Sequence, residues 1–211
     1  MLDELLRIEE YKKTNPNELT TQQFMKLEKE IKTPRFGVIS DEYVDFRLWN
    51  MGLPSRQERF AEYLVRRIPK KDGIKILEVG CGRTARLSRI LGEKGLNITG
   101  IDPKVEIPNG TNTKFIKGKF NYNTFNISDY DFVIAQEPCD ATEHVVRACT
   151  AHKVPFIMSL WGTPHRMTSG HMPKDIKEWY ENLLELSNGM TRLRYIELDP
   201  LTITPVLRSN F

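Results

Sequence analysis

The stretch Lys75-Ile76-Leu77-Glu78-Val79-Gly80-Cys81-Gly82-Arg83-Thr84-Ala85 decides how the chain is organised. An apolar run suited to a buried strand enters a glycine turn, and a helical pattern from Thr84 to Lys94 follows at once, with Leu87, Ile90 and Leu91 on its inward side. Gly80 and Gly82 permit a tight turn and a close approach of backbone to a ligand. The ligand's polar groups would then face free N–H groups at the helix start. Asp102 stands twenty residues beyond Gly82, at the end of the next apolar run, in Thr99-Gly100-Ile101-Asp102-Pro103. A carboxylate at that place is positioned to accept hydrogen bonds from both hydroxyls of a ribose.

Working outward, the short apolar runs are Ile74 to Val79, Leu96 to Ile101, Lys114 to Lys117, Phe132 to Ala135 and Val154 to Leu160. Helical stretches separate them, so the pattern predicts an α/β fold with a parallel sheet and right-handed crossovers. A helix from Ala141 to His152 puts Val145, Val146 and Cys149 on one side, and another is expected from Pro173 to Leu186. Leu193 to Leu198 and Leu201 to Leu207, around Asp199-Pro200, read as an antiparallel hairpin at a sheet edge, where Pro205 is tolerated. Before residue 70 the sequence reads as helices instead. Leu2, Leu5, Leu6 and Ile8 have mixed helical spacing, Phe24, Leu27 and Ile31 recur at three and four, and Phe60, Tyr63, Leu64 and Ile68 mark a further face. Turns at Pro34–Gly37 and Gly52–Ser55 punctuate this region. The expected division is a helical cap or extension at 1–70 and a cofactor-binding domain at 71–211.

Composition narrows the class. The chain has 211 residues, 39% hydrophobic and 28% charged, with 13 Gly and 12 Pro, which excludes collagen-like, disulfide-scaffold and wholly disordered readings. The net charge of +3 is a mild excess with both signs interspersed, so charge alone implies no nucleic-acid partner. Cys81, Cys139 and Cys149 form no CxxC pair and lack His at ligand spacing. A disulfide framework and a structural metal are therefore not expected, and a reducing, cytoplasmic setting is. No uncharged apolar run reaches the length of a membrane span, and the opening MLDELLRIEEYKK lacks the pattern of a secretion signal.

Two cofactor readings compete at the glycine turn. Gly80-x-Gly82-x-x-Ala85 satisfies the loose dinucleotide fingerprint of a dehydrogenase. Glu78 decides against it, because a carboxylate two residues before the first glycine repels a diphosphate and welcomes a ligand with a cationic amino group and a sulfonium. Ile76 to Gly82 resembles the first motif of the class I S-adenosylmethionine-dependent methyltransferase family, and Asp102 resembles its acidic residue on the second strand. The resemblance spans about Ile74 to Leu207. It implies a Rossmann-like, mostly parallel seven-stranded sheet with an antiparallel C-terminal hairpin, and S-adenosyl-L-methionine as cofactor. Glu78, Gly80, Cys81, Gly82, Thr84, Asp102, Lys119, Phe120 and Gln136 are its candidate binding residues. Thr84 stands where the family often has a third glycine, and Lys119 where it often has an acidic residue for the adenine amino group. Adenine recognition is thus left to backbone around Phe120 and Asn121, or is weaker. The stretch Gln136-Glu137-Pro138-Cys139 lacks the Asn-Pro-Pro-Tyr pattern, which disfavours a base amine as acceptor.

Methyl transfer from a sulfonium needs positioning and desolvation above all, with a base only where the acceptor must lose a proton. Glu137 and His165 are the candidate bases, and Tyr43, Trp49 and Trp161 the candidate acceptor contacts. Phe36, Tyr43, Phe46 and Trp49 are expected to form an aromatic patch near the methyl, with Arg56 nearby. The loop from Trp161 to His171 has the length and glycines of a substrate lid, though His165 and His171 also suit plain loop residues. Arg83, Arg86 and Arg89 read as a solvated helix face, and Cys139 and Cys149 as packing residues. The leading expectation is a cytoplasmic methyltransferase for a small-molecule O or N acceptor, with no membrane or metal. Its alternatives are an S-adenosylmethionine-binding protein without turnover and, lowest, an RNA methyltransferase using Lys114, Lys117 and Lys119 as a phosphate path. Oligomeric state stays open, with a homodimer as one option.

Overall fold

A computed structural model describes residues 2–14, 20, 22–23, 26, 41–199 and 202–210. The expected face at Phe24, Leu27 and Ile31, the Pro34–Gly37 turn and Phe36 lie outside the described residues, as do the side chains of Leu2, Leu5 and Leu6. The elements in chain order are helices α1 (Leu2–Thr14), α2 (Asp41–Asn50) and α3 (Arg56–Val65), strand β1 (Lys75–Val79), α4 (Arg86–Glu93), β2 (Asn97–Asp102), β3 (Thr113–Lys117) and β4 (Phe132–Gln136). A short 3-10 turn, Cys139–Ala141, leads into α5 (Thr142–His152), followed by β5 (Phe156–Ser159), α6 (Ile176–Leu186), β6 (Thr191–Asp199) and β7 (Thr202–Ser209).

The described strands form one sheet in the order β3-β2-β1-β4-β5-β7-β6. The first five are parallel, and β7 runs antiparallel to both β5 and β6. Both sheet faces are covered, which is why the central strands read as near-continuous apolar runs rather than as alternation. Ile76 on β1 packs with Ile98, Phe132 and Ile134 against Phe60, Leu64, Leu87 and Leu91 of α3 and α4. Leu77 and Val79 face the other way, into a larger cluster with Val145, Val146 and Cys149 of α5 and Trp179 and Leu183 of α6.

The helix ends follow local chemistry. Ser55 caps α3 in a reciprocal capping box with Glu58. Asp175 caps α6 by accepting from the Glu178 N–H, so this helix starts at Ile176 and not at Pro173. Helix α4 likewise begins at Arg86 and not at Thr84, because Ala85 holds a left-handed conformation (φ 41°) that a helix cannot include.

The C-terminal hairpin departs from expectation in one respect. Pro205 lies on β7, which is interior, with β5 on one side and β6 on the other. Its carbonyl accepts from the Leu160 N–H at 2.9 Å, so the nitrogen of the same residue also faces the β5 side. There β5 has already ended at Ser159, and the missing N–H costs no ladder bond.

Candidate functional site

The carboxyl ends of β1, β2 and β4 meet at one edge of the sheet, and the glycine turn is wired to its neighbours. The Gly80 and Cys81 N–H groups donate to the Ile101 carbonyl at 2.9 and 3.4 Å. The Gly82 N–H donates to Asp102 Oδ2 at 3.0 Å. These three N–H groups are engaged within the chain, because the turn continues the β1–β2 ladder before it leaves the sheet. Asp102 Oδ1 accepts in addition from the Lys104 N–H at 2.7 Å, and its carbonyl accepts from the Gly118 N–H. The residue expected to meet a ribose is thus also the brace of the loop, half-exposed above it.

Gly80 (φ 75°) and Gly82 (φ 71°) both occupy the left-handed region, for different purposes. A Cβ on Gly80 would stand 3.1 Å from Cα and Cβ of Pro138, so this glycine lets the β4–α5 loop close down on the turn. A Cβ on Gly82 would meet nothing within 4 Å, so open space lies beside it.

Glu78 is 2% exposed on the α4 face of β1, and its Oε2 accepts a short hydrogen bond from the Ser88 hydroxyl. Burial pushes its carboxyl up to about 7; the Ser88 hydroxyl and N–H oppose the rise, and the charge of Asp102 adds to it. Cys81 is buried beside the same pair, and burial together with the charges of Glu78 and Asp102 pushes its thiol up, leaving it a small packing group. Thr84 and Lys119 are exposed, and Gln136 ends β4 opposite Ser159. Phe120 is 6% exposed, with its ring 5.3 Å from that of Phe125, in the core beneath the edge.

The candidate bases are placed differently from one another. Glu137 (φ 51°) turns its carboxylate onto Arg56, with Nη2 to Oε1 at 2.6 Å and both side chains 8% exposed. The Arg56 N–H donates to Asp45 Oδ1 at 3.0 Å, and Arg86 stands 3.8 Å from Asp45 and 3.9 Å from Glu58. Glu137 thus clasps the end of β4 to the start of α3 through one of its carboxylate oxygens. His165 has its Nδ1 3.5 Å from Asp140 Oδ1 and its ring 5.3 Å from Trp179, while Nε2 is buried with no hydrogen-bond partner. The structure does not pair His165 with Glu137; their described partners are Asp140 and Arg56.

The aromatic candidates are also redistributed. Tyr43 is 1% exposed and its hydroxyl accepts from Arg47, while Phe46 packs 5.5 Å from Tyr11 and 6.4 Å from Trp49. Phe46 packs across the seam between α1 and α2 through Tyr11, Tyr43 is buried beside it on α2 with the ring centroids 6.4 Å apart, and Trp49 keeps part of its surface exposed. Trp161 is half-buried, and its carbonyl accepts from the Tyr180 hydroxyl at 3.2 Å. The loop that follows is pinned: Glu143 accepts from the N–H and hydroxyl of Thr168 and from Arg147, and Met167 is buried. His171 is exposed, 3.1 Å from Glu178.

Arg83 and Arg86 face carboxylates (Glu106; Asp45 and Glu58), which suits the solvated-face reading of this stripe. Cys149 is buried as expected, whereas Cys139 is exposed in the β4–α5 loop. Sequence reasoning missed Ser88 as the partner of Glu78, although a serine beside Leu87 and Leu91 on an inward face is a signal. Among the described residues no cluster of His, Cys, Asp or Glu is placed to hold a metal, and no helix is long and apolar enough to cross a membrane.

No family model matches the chain, and no curated protein matches it. Solved structures do. A chain of the Haloferax volcanii complex between the Trm112 methyltransferase activator and a methyltransferase superposes with a TM-score of 0.50 at 14% identity, over 80% of this chain and 96% of that one. An S-adenosylmethionine-dependent methyltransferase of Leishmania major gives 0.50 at 14% identity over 72% of each chain. A methyltransferase from an antibiotic biosynthesis pathway of Anabaena variabilis gives 0.47 at 13% identity, and the present chain spans 66% of its length. The likeness establishes the fold: a Rossmann-like sheet of the S-adenosylmethionine-dependent methyltransferase type, closed by an antiparallel hairpin.

Proposed function

We propose that this chain is an S-adenosylmethionine-dependent methyltransferase of the class I kind, working in the cytoplasm on a small-molecule oxygen or nitrogen acceptor. One observation carries the reading: two carboxylates, Glu78 and Asp102, bracket the Gly80–Gly82 turn at the carboxyl edge, with open space beside Gly82. When ionised, both groups only accept hydrogen bonds, which suits a ligand that brings a ribose diol and a cation, and a cation beside Glu78 would draw off the proton that burial lets it keep up to about pH 7. Glu78, Gly80, Cys81, Gly82, Thr84 and Asp102 would line the methionine and ribose end, and Lys119, Phe120 and Gln136 the adenine and methyl end. When bound, S-adenosylmethionine supplies a methyl group on a sulfonium that leaves as a neutral thioether.

The chain's own residues do the rest. The clasp between Arg56 and Glu137 holds the first turn of α3 against the end of β4 and keeps water from this side of the edge. His165 is the proposed base where an acceptor has to lose a proton, since Asp140 beside Nδ1 favours the tautomer that leaves Nε2 as acceptor. Trp49 and Trp161 are the aromatic surfaces left to meet the acceptor. Residues 1–70 serve as the cap and 71–211 as the cofactor domain, and three free cysteines suit a reducing compartment.

Calorimetry with S-adenosylmethionine and S-adenosylhomocysteine tests this. Binding in the micromolar range is expected, weakened at least about tenfold in Asp102→Asn by loss of the ribose contact. Binding of NAD with neither of these two ligands below millimolar refutes it. A second reading, a binder without turnover, draws on the engagement of Glu137 by Arg56, and robust labelled-methyl incorporation into any acceptor of a broad panel excludes it.

A further inference from the structure

Beside the glycine turn a buried carboxylate is held by a serine and by no cation. Glu78 is 2% exposed, Ser88 is fully buried, and the hydroxyl of Ser88 on α4 donates to Glu78 Oε2. On β2 the residue in register with Glu78 is Gly100. A Cβ there would stand 3.1 Å from Ser88 Oγ and 3.0 Å from both Cys81 Sγ and Phe115 Cδ1. The lack of that Cβ lets α4 bring its serine down onto the strand, and a larger residue would press on the hydroxyl that reaches the carboxylate.

The neighbours on every side leave Glu78 without a counter-charge. On α4, Arg86 faces Asp45 and Glu58, and Arg89 is exposed. Arg83, in the turn, faces Glu106. On β4 the residue in register is the buried Ile134. Among the described residues no Lys, Arg or His pairs with Glu78, and the charge that bears on it is that of Asp102, of like sign. Cys81 keeps its own proton, because burial pushes its thiol up. A carboxyl in a low dielectric beside a like charge favours its neutral form, and one serine only partly opposes this. An arriving ammonium reverses the balance, since it brings the missing opposite charge into the same low dielectric. Ser88 has by then already oriented the carboxylate, so no ordering is left to the ligand.

We propose that Ser88 is the positioning residue for the cofactor's ammonium: it holds Glu78 in place from α4, and Glu78 exchanges its proton for that ammonium as the cofactor binds. The step balances. Neutral Glu78 and the ligand's ammonium give a carboxylate–ammonium pair, and one proton passes to solvent. This inference rests on the methyltransferase reading above, which puts the ligand's amino group beside Glu78.

The test titrates the full chain by calorimetry with S-adenosylhomocysteine and with 5′-methylthioadenosine, which keeps the adenosine and the thioether and lacks the amino acid. S-adenosylhomocysteine is expected to bind about tenfold more tightly at about pH 8 than at about pH 6, the change in ionised fraction of a carboxyl that titrates at about 7. At the lower pH, titrations in phosphate and in an amine buffer, whose heats of protonation differ, should report release of about one proton per ligand bound. 5′-Methylthioadenosine should show neither effect. Glu78→Gln keeps an acceptor for the Ser88 hydroxyl and should bind S-adenosylhomocysteine at both pH values with the parent's low-pH affinity. Ser88→Ala removes the donor that favours the ionised form, so its profile should move to higher pH by about half a unit or more, which loosened packing alone would not produce. A flat profile, no proton release, a profile that survives Glu78→Gln, or an unmoved profile in Ser88→Ala overturns the proposal. If S-adenosylhomocysteine binds with a flat profile, this inference falls and the methyltransferase reading stands. If it binds at neither pH, the methyltransferase reading falls and takes this inference with it.

Discussion

Replacing Arg56 by methionine removes the cation from a pair that solvent scarcely reaches. The Nη2 to Oε1 distance is 2.6 Å, and each side chain is 8% exposed. Glu137 would be left as a buried carboxylate without its partner, on a residue already in the left-handed region. Breaking one half of such a pair costs about 3–5 kcal/mol. For a chain of this length each kcal/mol moves the melting temperature by about 2–4 °C, so a fall of about 6–20 °C is expected. Glu137→Leu alone takes this carboxylate from the buried guanidinium and should also destabilise the chain. The double variant, Arg56→Met with Glu137→Leu, replaces the pair by apolar groups and should recover most of the loss, because the desolvation of two charges disappears together with their attraction. Urea unfolding of the four proteins, analysed as a double-mutant cycle, gives the coupling directly. The reasoning is refuted if either single variant loses less than about 1 kcal/mol, the value of an exposed pair, or if the double variant loses the sum of both.

Glu78 makes stability depend on pH. Its carboxyl, at 4.5 ordinarily and about 7 in the folded chain, holds a proton in the native state across a window where the unfolded chain has released it. Its contribution is therefore full below about pH 4.5 and lost as pH rises through 7, on the order of 3 kcal/mol at most. Urea midpoints at pH 5 and pH 8 should differ less in Glu78→Gln than in the parent, and equal differences would contradict the assignment. Gly82→Ala should cost about 1–2 kcal/mol for its positive φ alone, whereas Gly80→Ala adds the contact with Pro138 and should cost about 1 kcal/mol more; equal losses in chemical denaturation would remove Pro138 from the account. Glu143→Ala releases Thr168, and trypsin should then cut after Arg166 at least about tenfold faster while the global unfolding midpoint moves less. Unchanged cleavage would show that other contacts hold the loop.

The alternation of strands and helices after residue 74 was legible because burial on both faces writes apolar runs of strand length into the sequence. The glycine turn and the acidic residues at 78 and 102 were legible for a related reason: they are local, within one strand, turn and strand. What escaped is long-range or conformational. Arg56 and Glu137 are 81 positions apart, and no periodicity announces that a cation after a proline-serine turn will meet a carboxylate after the fourth strand. The late start of α4 depends on Ala85 in a left-handed conformation that alanine seldom adopts. The occupation of the turn's N–H groups by Ile101 and Asp102 depends on how tightly two strands sit together. The aromatic residues of α2 were visible as a group, but an apolar helix face does not say whether it faces a ligand or, as with Phe46, a neighbouring helix.

The interior place of β7 has a consequence for synthesis. A ribosome delivers the chain from its N-terminus, so β5 emerges with its outer edge open, and Ile157, Met158 and Ser159 wait for residues that arrive about fifty positions later, as with Phe156 and Ser209, which are 53 apart. Until then the nascent chain exposes an apolar strand edge of the kind that recruits other strands. The final closing step is the docking of a hairpin whose two strands already satisfy each other. Pro205 favours the correct alignment, since a slip of the hairpin would bring its nitrogen opposite a β5 carbonyl that needs a donor.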